Sequence, residues 1–212
     1  WELAEKSGEV PLPPYMHRRE EPEDRVRYQT EFAAEKGSVA APTASLNLTN
    51  QLLEKVQAKG VEVVQITLHV GLGTFMPIRV DDLTKHIMHQ EYFEIPAATA
   101  MAIQKAKREG RRVIAVGTTV TRTLEYAAQE ILDFKKDSVG SGTISGEADI
   151  FIYPGYDFKI IGGLLTNFHA PRSTVLMMTA AFAGWDKLLP AYNHAVNSGY
   201  KLLSYGDSML IT

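Results

Sequence analysis

Two histidines stand where strand-like runs end. "TLHVGLGTF" sets His69 ahead of Gly71, Gly73 and Thr74, and "LLTNFHAPRST" sets Asn167 and His169 ahead of Pro171 and a helix-start signature. A neutral imidazole takes a proton near pH 7, so His69 and His169 are the candidate general bases. In open α/β sheets, ligands bind just past the carboxyl ends of strands, where both residues fall. A third junction, "VGTTVTRTLE", carries Gly117, Thr118 and Thr119 into a helix. Glycine lets a ligand approach the backbone. Threonine hydroxyls and free helix N–H groups hold carboxylates, phosphates or ribose hydroxyls. The same residues also suit plain capping, and both readings stand. Arg122 and Glu125 follow on the next turns. They either anchor a carboxylate and an amine or form an i,i+3 pair worth roughly a few tenths of a kcal/mol.

Other stretches carry less. His86 and His89 in "HIMHQE", with Glu91 nearby, can share a helix face, but the spacing is no zinc signature and no third ligand is evident. A hydrogen-bonded structural or substrate-facing role is expected there, and no metal. Tyr205 and Asp207 in "SYGDSM" flank a glycine, as in a tight turn braced by an aspartate. His17 and His194 read as surface residues. No Gly-Lys-Ser/Thr follows a glycine-rich turn, so there is no P-loop, and "GLGTFM" runs into Pro77 rather than a helix, so it is not a dinucleotide fingerprint.

These junctions need elements to hold them. "GEVPLPPYMHRREEPEDRVRYQT" has four prolines and reads as an extended lead-in. From Thr43, Leu46, Leu52, Leu53 and Val56 carry a helical period that Gly60 ends. "VEVVQITLHVG" is β-branched and strand-like. "DDLTKHIMHQEYFEIP" is ambiguous, with a short turn capped at Asp81 or Asp82 and a strand at Tyr92-Phe93. "AATAMAIQKAKREG" is a helix, "RRVIAVG" a buried strand and "TTVTRTLEYAAQEIL" a second helix. "DSVGSGTISGEAD" reads as a mobile or ligand-facing loop, and "IFIYPG" as a strand and turn. "LLTNFH" is a strand, "RSTVLMMTAAFAG" a helix, and "WDKLLPAYNHAVNSG" a helix through Pro190. "YKLLSYGDSMLI" closes with a strand, a Gly-Asp break and an apolar tail. This alternation predicts an α/β fold, a largely parallel or mixed sheet flanked by helices.

The 212 residues allow one large domain, or one domain and a piece of another, and 45% hydrophobic with 22% charged content is that of a globular protein with a sizeable core. Absence of cysteine excludes a disulfide framework and thiolate metal sites, and makes a reducing cytoplasm the simplest compartment. No apolar run approaches the ~18 residues that span a membrane. The start, "WELAEKSGEVPLPPYM", lacks signal-peptide features and an initiating Met, as a piece cut from a longer chain would. The net charge of −3 gives no overall basic excess for nucleic acid. Basic clusters at His17-Arg18-Arg19, Arg25/Arg27 and "KAKREGRR" read as a solvated face or an RNA contact.

Taken in order, "GEVPLPPY", "RYQT", "GSVAAPTA", "TLHVGLGTFMPI", "HIMHQEYFEIP", "RVIAVGTT", "RTLE", "IFIYPGY", "LLTNFHAPRST" and "YGDSMLI" resemble the S-adenosylmethionine:tRNA ribosyltransferase-isomerases of queuosine biosynthesis. The resemblance covers essentially the whole chain. It implies transfer and isomerisation of the ribosyl part of S-adenosylmethionine onto 7-aminomethyl-7-deazaguanine at a tRNA wobble position, giving epoxyqueuosine, adenine and methionine. S-adenosylmethionine is then a consumed substrate; no cofactor or metal is implied, and the partner is the tRNA. A cytoplasmic monomer without membrane attachment is expected. The sulfonium acidifies the neighbouring 5′ carbon, so a base can form an ylide and drive adenine out. The amine then attacks the ribose-derived fragment, which closes to an epoxide as methionine leaves. For this chemistry His69 and His169 are the base candidates. Thr118, Thr119, Arg122 and Glu125 form a polar floor, and Gly71, Gly73 and Thr74 border the ligand. Tyr28, Gln29, Thr43, Asn167, Tyr205 and Asp207 face substrate.

The chain departs from that pattern. After "AAPTA" the family reads Gly-Leu-His-Phe, but here Ser45-Leu46-Asn47-Leu48 stands, replacing an imidazole with an amide that is no base. Val120 replaces a serine, and Arg172 stands where an acid or lysine is usual. The family's N-terminal "N-[DN]-T-R-V-[IL]-P-A-R-L" segment and small inserted β domain have no counterpart here. The chain therefore resembles the C-terminal three-fifths, with residues 1–30 an extended lead-in following the small β domain and 31–212 the α/β catalytic-type domain. The alternative class is a non-catalytic or divergent homologue that binds S-adenosylmethionine or RNA. A methyltransferase is disfavoured, because the glycine-rich first βα turn of that fold is missing.

Overall fold

A computed structural model describes residues 8–71, 78, 82–135 and 142–212. Gly73 and Thr74 lie outside the described residues, as does Asp81. The fold is mixed α/β. Its strands are β1 (Thr67–His69), β2 (Glu91–Pro96), β3 (Ile114–Val116), β4 (Thr143–Ala148), β5 (Gly163–Asn167) and β6 (Ser208–Ile211). Its helices are α1 (Asp24–Arg27), α2 (Asn50–Ala58), α3 (Ala97–Arg108), α4 (Thr118–Tyr126), α5 (Ala128–Leu132), α6 (Thr174–Ala183) and α7 (Trp185–Asn197).

The strands form two three-stranded sheets rather than the single sheet expected. One is antiparallel, in the order β1-β2-β4; the other is β3-β5-β6, with β3 parallel and β6 antiparallel to β5. β2 reads with period two: Glu91, Phe93 and Ile95 are buried, whereas Tyr92 and Pro96 are exposed. β4 occupies part of the stretch expected to be a loop, while "IFIYPG" forms no strand. Gly146 explains the difference at β4. It pairs with Phe93, and a Cβ there would meet the Phe93 ring at 3.2 Å. A glycine that looks like a loop signal in sequence here makes room for an aromatic ring.

β5 is the central strand of the mixed sheet and is buried almost throughout. Gly163 opens it, because a Cβ would lie 2.3 Å from Ile114 Cδ1. The closing strand β6 begins only after the Gly206-Asp207 turn; residues 200–203 are not strand. The helical run from Thr118 breaks at Ala127 into α4 and α5, and α7 does continue through Pro190. The core gathers Phe93, Ile95, Ile103, Ile131, Ile160, Leu164 and Met178 between the sheets and helices. At about 25 cal/mol per Å², burying such side chains supplies the main folding drive.

Chain direction sets where the mixed sheet is open to a ligand. β3 and β5 run parallel, and each is followed by a helix, α4 and α6. Their carboxyl ends therefore open on the same side of the sheet.

Candidate functional site

A cleft of about 170 Å³ lies at those carboxyl ends. From β3 and α4 come Val116, Gly117, Thr118, Thr119 and Val120, and from β5 and the start of α6 come Thr166, Asn167, His169, Arg172, Ser173 and Val175. Ala40 to Ala44, Val70, Tyr15 and Ser204 complete the wall.

Each wall has a local cause. Gly117 turns the chain from β3 into α4 at φ +99, a conformation that glycine adopts without strain, and its carbonyl accepts the Thr121 hydroxyl at 3.1 Å. The first N–H groups of α4 have no intrahelical acceptor, so Thr118 and Thr119 present both hydroxyls and backbone donors at the cleft. Ser173 caps α6 by accepting the Leu176 N–H at 3.2 Å. Arg172, exposed just before that cap, sits at φ +57.

Polar contacts join the remote segments. Thr43 Oγ1 donates to Asn167 Oδ1 at 3.0 Å. The Asn167 amide reaches the carbonyls of Gly206 and Asp207 at 3.5 and 3.4 Å. The Asn47 amide donates to Gly206 O at 3.1 Å and to Ser208 Oγ at 2.9 Å. His169 is held twice: its Nε2 lies 2.8 Å from Thr166 Oγ1, and its backbone N–H donates to the Tyr192 hydroxyl at 2.7 Å. Burial brings the His169 pKa down to about 4, so the ring is neutral at pH 7. Sequence reading missed Thr166 and Tyr192. A threonine within an otherwise apolar strand was a signal for the first; nothing in the helical pattern of α7 marked the second.

Several sequence candidates lie elsewhere. Val70 turns into the cleft, but His69 packs away from it. Its ring stacks on Tyr92 with centroids 5.7 Å apart, and a Cβ on Gly37 would sit 2.2 Å from its Nδ1. Gly71 is exposed and outside the lining. Arg122 and Glu125 pair with other groups rather than with each other. Arg122 donates to Glu91 Oε2 at 2.9 Å and to the carbonyls of Ile150, His89 and Ala148, with only 6% of its surface exposed. Burial pushes the Glu91 carboxyl up and the Arg122 guanidinium down, and their contact opposes both shifts. Arg122 lines a second cavity of about 10 Å³, room for one water, beside Met88 and Phe151; Thr118, Thr119 and Val175 line both it and the cleft. Glu125 accepts the backbone N–H groups of Lys159, Ile160 and Ile161 at 2.8–3.0 Å, fixing the loop before β5.

Tyr205 donates to Asp24 at 2.7 Å, and Arg18 grips the same carboxylate with two bonds. The Arg18 guanidinium holds the Asp24 carboxyl well below its usual range, while burial pushes Tyr205 up to about 12. Tyr28 packs edge-on against Tyr205 and is buried, whereas Gln29 is exposed. Asp207 accepts the Lys201 N–H at 2.8 Å, the turn brace read from the sequence. His86 packs on Phe151, with centroids 5.0 Å apart. Among the described residues, no group of three His, Cys, Asp or Glu side chains could hold a metal ion, and no helix is long and apolar enough to cross a membrane.

Comparison with known proteins gives the family of the chain. The family described as "Queuosine biosynthesis protein" matches residues 1–211. The chain belongs to that family. It is 63% identical over 211 residues to the S-adenosylmethionine:tRNA ribosyltransferase-isomerase of Chlorobaculum parvum, covering 100% of this chain and 61% of that protein. The namesake from Geotalea uraniireducens is 54% identical, with 98% and 58% covered. This family chain thus spans about three-fifths of the length of these relatives. Among solved structures, it resembles the S-adenosylmethionine tRNA ribosyltransferase of Thermotoga maritima with a TM-score of 0.63 and 38% identity, over 80% of this chain and 51% of that one.

Proposed function

We propose that this chain is the larger, α/β part of an S-adenosylmethionine:tRNA ribosyltransferase-isomerase, the small inserted β domain lying outside it, and that the cleft takes the sulfonium nucleoside. The reaction moves the ribosyl group of S-adenosylmethionine onto the aminomethyl group of 7-aminomethyl-7-deazaguanine in tRNA and isomerises it to the epoxide. Adenine and methionine leave. The observation that carries this reading is the convergence of Thr43, Thr118, Thr119, Asn167 and His169 on one cleft.

The chemistry suits the groups present. The N-terminus of α4 and its threonines offer donors to a carboxylate or to ribose hydroxyls. A low-dielectric wall of Val116, Val120 and Val175 strengthens each polar contact. Proton transfer at the carbon beside the sulfonium needs an ionisable group within hydrogen-bond reach. Of the two imidazole candidates, His169 is in the wall, and His69 stands one residue from Val70, which is.

The test incubates the purified chain with S-adenosylmethionine and tRNA bearing the aminomethyl-deazaguanine base, and reads adenine and modified nucleoside. Both products are expected; S-adenosylhomocysteine would mean methyl transfer instead. Gln replacements at His69 and His169 follow. If neither slows adenine release, the base is not an imidazole of this pair.

Asn47 favours a second reading, a homologue that binds the nucleoside or RNA without turnover. Its amide is spent on Gly206 and Ser208, where the family pattern has an imidazole. Asn47→His raises adenine release if that imidazole is the missing group. Absence of product in both forms of a folded chain supports the non-catalytic reading.

A further inference from the structure

We propose that the Thr166 hydroxyl fixes His169 as its Nδ1–H tautomer, so that the imidazole meets the ligand as a hydrogen-bond donor. The inference rests on the cleft being the ligand site, and it changes the part His169 plays there. Thr166 is fully buried in β5, and its Oγ1 lies 2.8 Å from His169 Nε2. Among the described residues, no other hydrogen-bond partner of that hydroxyl is present.

The direction of the bond follows from what each atom loses. A hydroxyl has one proton and two lone pairs. If Nε2–H donated to Thr166, the buried hydroxyl proton would have no acceptor, and an unmade buried donor is costly. If Thr166 donates to Nε2, its proton is satisfied and only a lone pair goes unused. Nε2 is then an acceptor, and the proton of the neutral ring sits on Nδ1. Burial that disfavours the charged imidazolium agrees with a neutral ring.

With Nε2 engaged, Nδ1 is the ring nitrogen left for a ligand, since His169 itself lines the cleft. It carries a proton already. It donates to an acceptor atom on the bound nucleoside, a carboxylate oxygen or a ring nitrogen, as a neutral imidazole polarises a carbonyl in other enzymes. The proton acceptor of the reaction is then a different group. Thr166 is accordingly a positioning residue. Tyr192, bonded to the His169 backbone, fixes the turn that carries the ring.

The test reads the tautomer directly, without turnover. In the 15N-labelled chain at pH 7, long-range proton–nitrogen correlations show which nitrogen of each imidazole is protonated, and the signal absent from His169→Gln identifies His169. The expected result is a protonated Nδ1 and a bare Nε2 in the wild type and in Thr166→Ser, with that preference lost in Thr166→Val. A protonated Nε2 in the wild-type chain overturns the proposal, whether or not Thr166→Val folds. So does an unchanged tautomer in a folded Thr166→Val. A chain that fails to release adenine but shows the Nδ1–H tautomer fails the proposed function and leaves this inference standing.

Discussion

The two sheets use the same residue types for opposite ends. In the antiparallel sheet, Glu91 starts β2 and is consumed by Arg122, while His69 ends β1 stacked on Tyr92. In the mixed sheet, Asn167 ends β5, His169 follows it, and both line a cleft with Thr118 and Thr119. Strand direction makes the difference. Two parallel strands, each feeding a helix, bring two carboxyl ends and two helix starts to one place. Antiparallel neighbours alternate their ends, so Glu91 there finds Arg122, while the buried His69 Nδ1 is left without a hydrogen-bond partner among the described residues. A histidine or arginine near a strand end is therefore a site candidate mainly where the strand beside it runs the same way.

The largest effect that would test this contrast lies in the antiparallel half. Glu91→Ala leaves the Arg122 charge buried and unpaired, and urea denaturation should show a loss of about 3–5 kcal/mol. Ligand affinity of the remaining folded protein should hold; weaker binding at saturating fold would make Arg122 part of the site.

On the mixed side, His169 sets a pH dependence. Its pKa is about 4 when folded, against 6.5 as the ordinary value, so the folded state favours the neutral ring. The resulting stability is complete above pH 6.5 and is lost as pH falls towards 4. The shift corresponds to about 3 kcal/mol. Denaturation midpoints across that range should fall in the wild type and fall less in His169→Gln. That variant should also slow adenine release by about a hundredfold, because the donor that the ring offers the bound nucleoside is lost.

Smaller effects sharpen the boundary. Gly146→Ala presses a methyl onto Phe93 and should cost about 1–3 kcal/mol with no change in ligand affinity. Asn47→Ala removes two hydrogen bonds at the turn before β6, for a loss of about 1 kcal/mol. A shift in ligand affinity with Asn47→Ala would show that the turn supports the Asn167 side of the cleft.

Helices α3, α6 and α7 were legible with their glycine stops, whereas α2 begins only at Asn50, capped by Thr49, and the expected start at Thr43 is a separate 3-10 turn, Thr43–Ser45. β3 and β5 read as strands from their apolar runs. β4 did not, because Gly146 answers to a ring on a neighbouring strand that is distant in sequence. The cleft was half legible. Thr118, Thr119, Asn167 and His169 were read from junctions, and the structure brings them together. The partners of Arg122 and Glu125 were not legible, because a helix pattern gives spacing but not the groups across it, here Glu91 and the backbone of residues 159–161. Tyr15 and Ser204 joined the wall through a fold contact between the chain's two ends.

The most direct test of the cleft as ligand site is calorimetric titration of S-adenosylmethionine into the wild-type chain, Asn167→Ala and His69→Gln. The cleft predicts binding by the wild type and by His69→Gln, and at least tenfold weaker binding by a folded Asn167→Ala. Binding that survives in Asn167→Ala and disappears in His69→Gln would put the nucleoside on the antiparallel sheet and contradict the account.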